Sequence, residues 1–269
     1  MTNPLTNGST PAFIAGIADA DYRNARGLAQ SSLKEFLVSP AHYLCSLDTK
    51  PEPTKAMQFG TAFHAEMLQQ DPSQFYAVKE KVDGRTKEGR AYNENFAIEN
   101  AGKVVIDTDE ATALKGMRGS ILRHITASGL MGALSHKEVA AFANYGVNGE
   151  TRIKGLMDGY SERGEYAIDL KTAEDASPAG FRKAIWDRSY DLQQVHYTWL
   201  LTCNNKPIKN FYFIVVEKKP PYAVGVYTIN PASIAKTQVR WENAVQMFGE
   251  CQKDGDYPAY ADSVVEIVL

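Results

Sequence analysis

The sequence predicts one α/β domain, and three observations carry that reading. Glu138–Val147, Glu150–Tyr160 and Glu165–Lys171 are strand-like segments joined by short turn signals, as in a three-strand antiparallel meander. A second strand pair, Lys209–Val216 and Tyr222–Ile229, follows two helical segments, and a long helical segment comes after it. The chain of 269 residues is 44% hydrophobic and 23% charged, an ordinary globular composition with enough apolar residues for one large core. Residues 1–16 read as a flexible N-terminal arm and residues 17–269 as the single domain.

Taken in order, Ser31 or Ser32 with Glu35 offers a capping pattern for a first helix whose apolar face is Leu33, Phe36 and Leu37. Ser39-Pro40 interrupts it, and Ala41–Leu47 resumes as a second short helix. Gly60-Thr61 starts a helix that Asp71-Pro72 ends; His64 and Leu68 share one face of it, Phe63 and Met67 the next. Gln74–Val78 and Val104–Ile106 read as short strands around a helix near Arg90–Asn100. Thr108 caps a helix running through Leu130. Asn148-Gly149 is a type I′ hairpin signal within the meander. Helices follow at 178–187 and Tyr190–Cys203, and Pro231 or Ser233 opens the long helix to about Lys253.

The chemistry concentrates in the meander. In YAIDLK, Tyr166, Ile168 and Leu170 alternate with Ala167, Asp169 and Lys171, which predicts a half-buried strand with Asp169 and Lys171 on its polar face. Asp158 precedes Asp169 by eleven residues, on the strand before the Ser161–Gly164 turn. Two carboxylates on neighbouring strands with an ammonium beside one of them can hold a hard divalent cation and a phosphate together. Asp-x-Lys on a strand is equally the pattern of a surface ion pair worth under ~1 kcal/mol, and a histidine on a helix is more often structural than a ligand.

Composition excludes other classes. Cys45, Cys203 and Cys251 are scattered and odd in number, which argues against structural zinc and a disulfide framework and fits a reducing cytoplasm. No apolar run approaches a membrane span, and the N-terminus lacks the pattern of a signal peptide. No G-x-S-x-G elbow, G-x-G-x-x-G or phosphate-binding P-loop pattern occurs, so neither a serine nucleophile nor ATP nor a dinucleotide is expected. The net charge of −3 means that any nucleic-acid affinity must come from local positive charge, for which Lys79–Arg90 and Arg182–Arg188 are candidates and equally solvated faces.

His64 within FGTAFHAEML, Glu138, Asp158, Asp169-Leu170-Lys171 and Gln193-x-x-x-Tyr197 stand in the order seen in PD-(D/E)XK nucleases. More narrowly, the chain resembles the C-terminal nuclease domain of RecE-type exonucleases and their phage relatives, from Ile17–Tyr22 almost to the end; Met157 replaces the motif's proline. The resemblance implies a restriction-endonuclease-like core, a central mixed sheet flanked by helices. It implies that His64, Asp158, Asp169 and the Leu170 carbonyl bind Mg²⁺, with Mn²⁺ able to substitute. Lys171 would act on the scissile phosphate or the attacking water, Glu138 would orient water or help a second ion, and Gln193 and Tyr197 would contact DNA. Three scattered cysteines do not match the four that hold an iron–sulfur cluster in helicase-linked relatives. The implied activity is a double-strand DNA exonuclease hydrolysing the 5′-ended strand to leave 3′ overhangs. The implied assembly is a ring-shaped homo-oligomer, tetrameric in RecE, on double-stranded DNA ends, partnered by a RecT-type single-strand annealing protein in a bacterial or phage-infected cytoplasm. A same-fold endonuclease or single-strand nuclease, or an inactive DNA-binding or assembly protein, are the alternatives.

Overall fold

A six-stranded mixed sheet runs through the centre of the chain, with helices on both faces. The structure, a computed structural model, describes residues 11–49, 52–261 and 263–266. The elements are β1 (Ala12–Ala15), α1 (Asp19–Asn24), α2 (Gln30–Val38), α3 (Pro40–Asp48), α4 (Lys55–Leu68), β2 (Tyr76–Lys79), α5 (Lys87–Glu99) and β3 (Val104–Asp107). They continue as α6 (Thr108–Arg123), α7 (Ile125–Gly132), β4 (His136–Tyr145), β5 (Thr151–Ser161), β6 (Tyr166–Ala173), α8 (Pro178–Arg188), α9 (Tyr190–Cys203), β7 (Asn210–Glu217), β8 (Val224–Tyr227) and α10 (Pro231–Asp254).

The strand order is β1-β4-β5-β6-β7-β8. The meander β4-β5-β6 is antiparallel as its turns require, and β7-β8 is an antiparallel pair. Between β6 and β7 the pairing is parallel, so the chain must cross over, and α8 and α9 are the crossover. They lie on one face with α2 and α10, where Leu33, Phe181, Leu192, Val195, Trp241 and Val245 meet the sheet. On the other face α4, α6 and α7 pack Phe63, Leu114, Met117, Ile121 and Ala127 against Ile168, Leu170, Ile214 and Val216. A small parallel pair, β2-β3, stands beside α4.

Several sequence expectations change. Ala12–Ala15, read as part of a flexible arm, pair with Phe142–Val139 as the edge strand β1; residues 1–10 lie outside the described residues. The α2 N-cap is Ala29, without a side-chain cap, so Ser31 and Ser32 lie inside the helix. Helix α4 starts a turn and a half before Gly60, where Thr54 accepts the Met57 N–H at 3.2 Å. Asp107, not Thr108, caps α6, in a reciprocal capping box with Glu110. The helix expected to reach Leu130 breaks at His124, whose Nδ1 caps α7 by accepting the Ala127 N–H. Of Asn148-Gly149 only the glycine takes a positive φ, +69°, so the type I′ turn, which needs both, is replaced by a longer loop from Gly146. Strand β6 is buried on both faces rather than one, because α9 covers the side that carries Asp169.

Candidate active site

The polar centre forms where β5 and β6 separate. The two strands pair at Ser161↔Tyr166, Tyr160↔Ala167 and Gly159↔Ile168, and pairing then stops. The next positions in that register are Asp158 and Asp169. Asp158 closes the fork with its side chain: Oδ2 accepts the Leu170 backbone N–H at 2.6 Å, a donor that the missing ladder bond would leave unpaired. On the other side of β5, Glu138 of β4 stands in register with Asp158, between the pairs Lys137↔Gly159 and Val139↔Met157. Its φ of +48° is costly for a residue with a Cβ. The pleat reverses at the same place: a Cβ on Gly155 would meet Tyr197 and Leu200 of α9, whereas one on Gly159 would meet Leu134 and Ile168 on the opposite face.

His64 reaches the fork from α4. Its Nδ1 lies 2.8 Å from the Gly60 carbonyl oxygen, one turn earlier on the same helix, and a carbonyl can only accept, so Nδ1 carries a proton. Nε2 then faces two more oxygens, Asp158 Oδ2 at 3.1 Å and the Leu170 carbonyl at 3.2 Å. A neutral ring with Nδ1–H would aim a lone pair at both. Burial acts to lower the His64 pKa, but the Asp158 carboxylate outweighs it and raises it to about 9. Burial likewise acts to raise the Asp158 pKa, and His64 and Lys171 together hold it below the ordinary carboxylate value.

Asp169 is 2% exposed on the α9 side of β6. Gln193 Nε2 donates to its Oδ1 at 2.8 Å and to the Tyr197 hydroxyl at 3.3 Å, and Lys171 forms an ion pair with Oδ2. Burial pushes the Asp169 carboxyl up, to about 6, against the pull of Lys171. The Lys171 ammonium also lies over the Tyr190 ring, 4.6 Å from its centroid. Its pKa is raised: burial opposes this, and the charges of Asp169 and Asp158 prevail. Glu138 is half-buried, and its carboxyl is raised by burial and then by the charge of Asp158.

Of the residues read from the sequence, His64, Asp158, Asp169, Leu170, Lys171, Gln193 and Tyr197 converge, and Glu138 stands beside them across the β4-β5 ladder. Gln193 and Tyr197, expected as DNA contacts, are 9% and 8% exposed, and Gln193 bonds both Asp169 and the Tyr197 hydroxyl. Tyr190 escaped the sequence reading; Tyr190, Gln193 and Tyr197 form an i, i+3, i+7 series on one face of α9, which was the available signal.

Among the described residues no three His, Cys, Asp or Glu side chains form a ready metal cage. The donors that do meet are one imidazole nitrogen, one carboxylate and one backbone carbonyl. Two ligands at right angles about a small divalent cation, ~2.1 Å from each, stand about 3.0 Å apart. The 3.1 and 3.2 Å separations around His64 Nε2 fit that spacing; without metal the raised pKa keeps a proton on Nε2, shared with these oxygens, and a cation would replace that proton.

A mixed sheet between helical layers, with Asp158 and Asp-Leu-Lys at a strand fork, defines the core of the PD-(D/E)XK nuclease superfamily. The chain belongs to the family described as a PDDEXK-like domain of unknown function, DUF3799, whose model matches residues 29–266. The match is to the superfamily and not to the RecE branch in particular. A candidate exonuclease from Eubacterium rectale shares the fold, with 14% identity over 94% of this chain and 96% of its own, at a TM-score of 0.59. A phage-related exonuclease from Haemophilus somnus 129PT aligns at 12% identity over 73% of this chain and 95% of its own, with a TM-score of 0.34 that carries no further weight. No curated protein sequence matches. Among the described residues no helix is long and apolar enough to cross a membrane.

Proposed function

We propose that the chain is a Mg²⁺-dependent deoxyribonuclease that degrades the 5′-ended strand of duplex DNA from its ends, leaving 3′ overhangs for strand annealing. The observation that carries it is His64 Nε2 set between Asp158 Oδ2 and the Leu170 carbonyl, one residue from the Asp169–Lys171 pair. His64, Asp158 and the Leu170 carbonyl would hold Mg²⁺, or Mn²⁺ in its place, with Asp169 completing the acidic set. The cation supplies Lewis-acid polarisation of the scissile phosphate and a lowered pKa for the attacking water.

The chain's own residues do the rest. Lys171 brings a fixed positive charge to the phosphate oxygens, where charge grows as the phosphodiester opens. Asp169 and the Tyr190 ring hold that ammonium in place, and Gln193 holds Asp169. Glu138, in register with Asp158 across the β4-β5 ladder, would orient water beside the fork. The RecE-like order of these residues supports the end-specific activity, a ring-shaped homo-oligomer around duplex DNA and a RecT-type annealing partner.

The test is digestion of linear duplex labelled separately at its 5′ and 3′ ends, with Mg²⁺ or EDTA, beside Lys171→Ala. The reading expects Mg²⁺-dependent release of the 5′ label, an intact circular duplex, and a ~100–1,000-fold loss in the variant. Absence of cleavage of linear, circular and single-stranded DNA with Mg²⁺ and with Mn²⁺ would overturn it.

A further inference from the structure

The basic stretch Arg182–Arg188, singled out in the sequence, has no part in the fork. It borders a cavity of about 610 Å³ between α8, the first turn of α9, β8 and the start of α10, a volume typical of ligand sites (~300–1,000 Å³). Arg182 and Trp186 are four residues apart on α8, and Lys236 and Arg240 are four apart on α10, so each pair lies along one helix face at the rim. All four side chains are exposed, Trp186 to 76%, and among the described residues none of the three cations has an ion-pair or hydrogen-bond partner. Asp187 pairs with Lys183, and Asp191, which lines the cavity, accepts the Thr237 hydroxyl and keeps its charge, so three cations face one carboxylate. In a chain of net charge −3 this is a local excess of positive charge around an exposed indole.

The cavity is connected to the fork through aromatic contacts. Phe181 and Tyr227 stack in its lining at 4.8 Å, Phe181 stacks on Tyr190 at 6.0 Å, and Tyr190 carries the Lys171 ammonium on its other contact. Arg188, at the end of α8, adds its charge beside Tyr190.

We infer that this cleft is a binding site for single-stranded polynucleotide, with phosphates on Arg182, Lys236 and Arg240 and a base stacked on Trp186. Unpaired cations spaced along two helices suit a chain of phosphates, and an exposed indole suits the free face of an unstacked base, which a duplex keeps covered. An acidic peptide would use the cations and leave the indole without purpose. The inference rests on the nuclease reading and deepens it, by giving one separated strand a place joined to Lys171 through Phe181 and Tyr190.

The test uses the full chain in EDTA, with 5′-fluorescein-dT15 followed by anisotropy. Trp186→Ala is expected to weaken binding about ten-fold. R182Q/K236Q/R240Q is expected to lower the slope of log affinity against log salt by about 2, at ~0.7 per phosphate contact on a single strand. All four residues are exposed, so both variants should melt with the wild type. Wild-type binding of dT15 by both variants, or equal displacement of dT15 by polyglutamate, would overturn the inference. Binding through Trp186 by a wild type that cleaves no DNA would sink the nuclease reading and leave this site standing. Cleavage of linear duplex with dT15 affinity indifferent to Trp186 would do the reverse.

Discussion

Replacing Gln193 by leucine separates two roles that the sequence alone could not. The side chain is buried, and its Nε2 donates to Asp169 Oδ1 at 2.8 Å. Leucine fills much of the same space but leaves one oxygen of a buried carboxylate without that donor, a cost of ~1–3 kcal/mol. For a chain of this length each kcal/mol moves the melting point by ~2–4 °C, so the metal-free variant should melt about 2–12 °C lower. The catalytic effect follows from Asp169, which loses its fixed orientation and with it part of its hold on Lys171. Loss of such a supporting hydrogen bond typically lowers activity ~10–100-fold. Gln193 is only 9% exposed and is bonded to Asp169, so the loss should fall on kcat, with the KM for linear duplex unchanged within about two-fold. The assay is steady-state release of 5′ label across a range of duplex concentrations, together with thermal melts. A raised KM with kcat and melting point intact would refute this reasoning and restore Gln193 as a DNA contact.

Three other changes probe separate parts of the structure. Asp158→Asn removes one ligand charge and should weaken Mn²⁺ binding by at least about ten-fold in calorimetry; unchanged affinity would show that the ion sits elsewhere. Gly60 lies inside α4 where an added Cβ meets nothing within 4 Å, so Gly60→Ala should stabilise the protein by ~0.5–1 kcal/mol and raise the melting point by about 1–4 °C, and a lower melting point would contradict the helix geometry. His196 is buried and neutral: its Nε2–H donates to the Lys154 carbonyl at 2.9 Å, its Nδ1 accepts the Trp241 indole N–H at 3.1 Å, and burial pushes its pKa down to about 4. The unfolded chain takes up this proton first, near pH ~6.5, so about 2–3 kcal/mol of stability that is complete above that pH is lost as pH falls toward 4. Urea titrations at pH 7 and 4.5 should show that extra loss in the wild type and not in His196→Gln; equal losses would rule it out.

The parts of the fold that the sequence disclosed are those governed by local rules. Helix α9 runs from Tyr190 to Cys203 as expected, and β5 to β7 fall within a residue or two of their expected bounds, because period and turn residues act over short spans. Misread elements are settled by partners distant in sequence. β1 is four residues whose strand character comes from pairing with β4 more than a hundred residues later. Gly60 looks like a helix start, yet α4 passes through it because Phe59, Phe63 and Met67 pack on the sheet. The break at His124 has no proline or glycine to announce it. In the site, residue types and their order were legible, but their division of labour was not.

That division follows from burial. An alternating strand with Asp and Lys on one face ordinarily turns that face to water, where the pair contributes little. Here α9 closes over it, so Asp169 cannot remain without partners, and the polar atoms supplied are Gln193 Nε2 and the Lys171 ammonium. On the other branch of the fork the balance differs: Asp158 takes a backbone N–H and the His64 imidazole, while the Leu170 carbonyl brings a further lone pair to the same nitrogen. One carboxylate is therefore supported by side chains that fix its direction, and the other belongs to a cluster of ligand atoms in which a divalent cation would take the place of the His64 proton. Leu170 joins the two halves, since its backbone meets His64 and Asp158 while its neighbours Asp169 and Lys171 point to α9. Because a one-residue shift of β6 would exchange its two faces, the register against β7, Asp169↔Phe213 and Lys171↔Val215, fixes the site as well as the sheet.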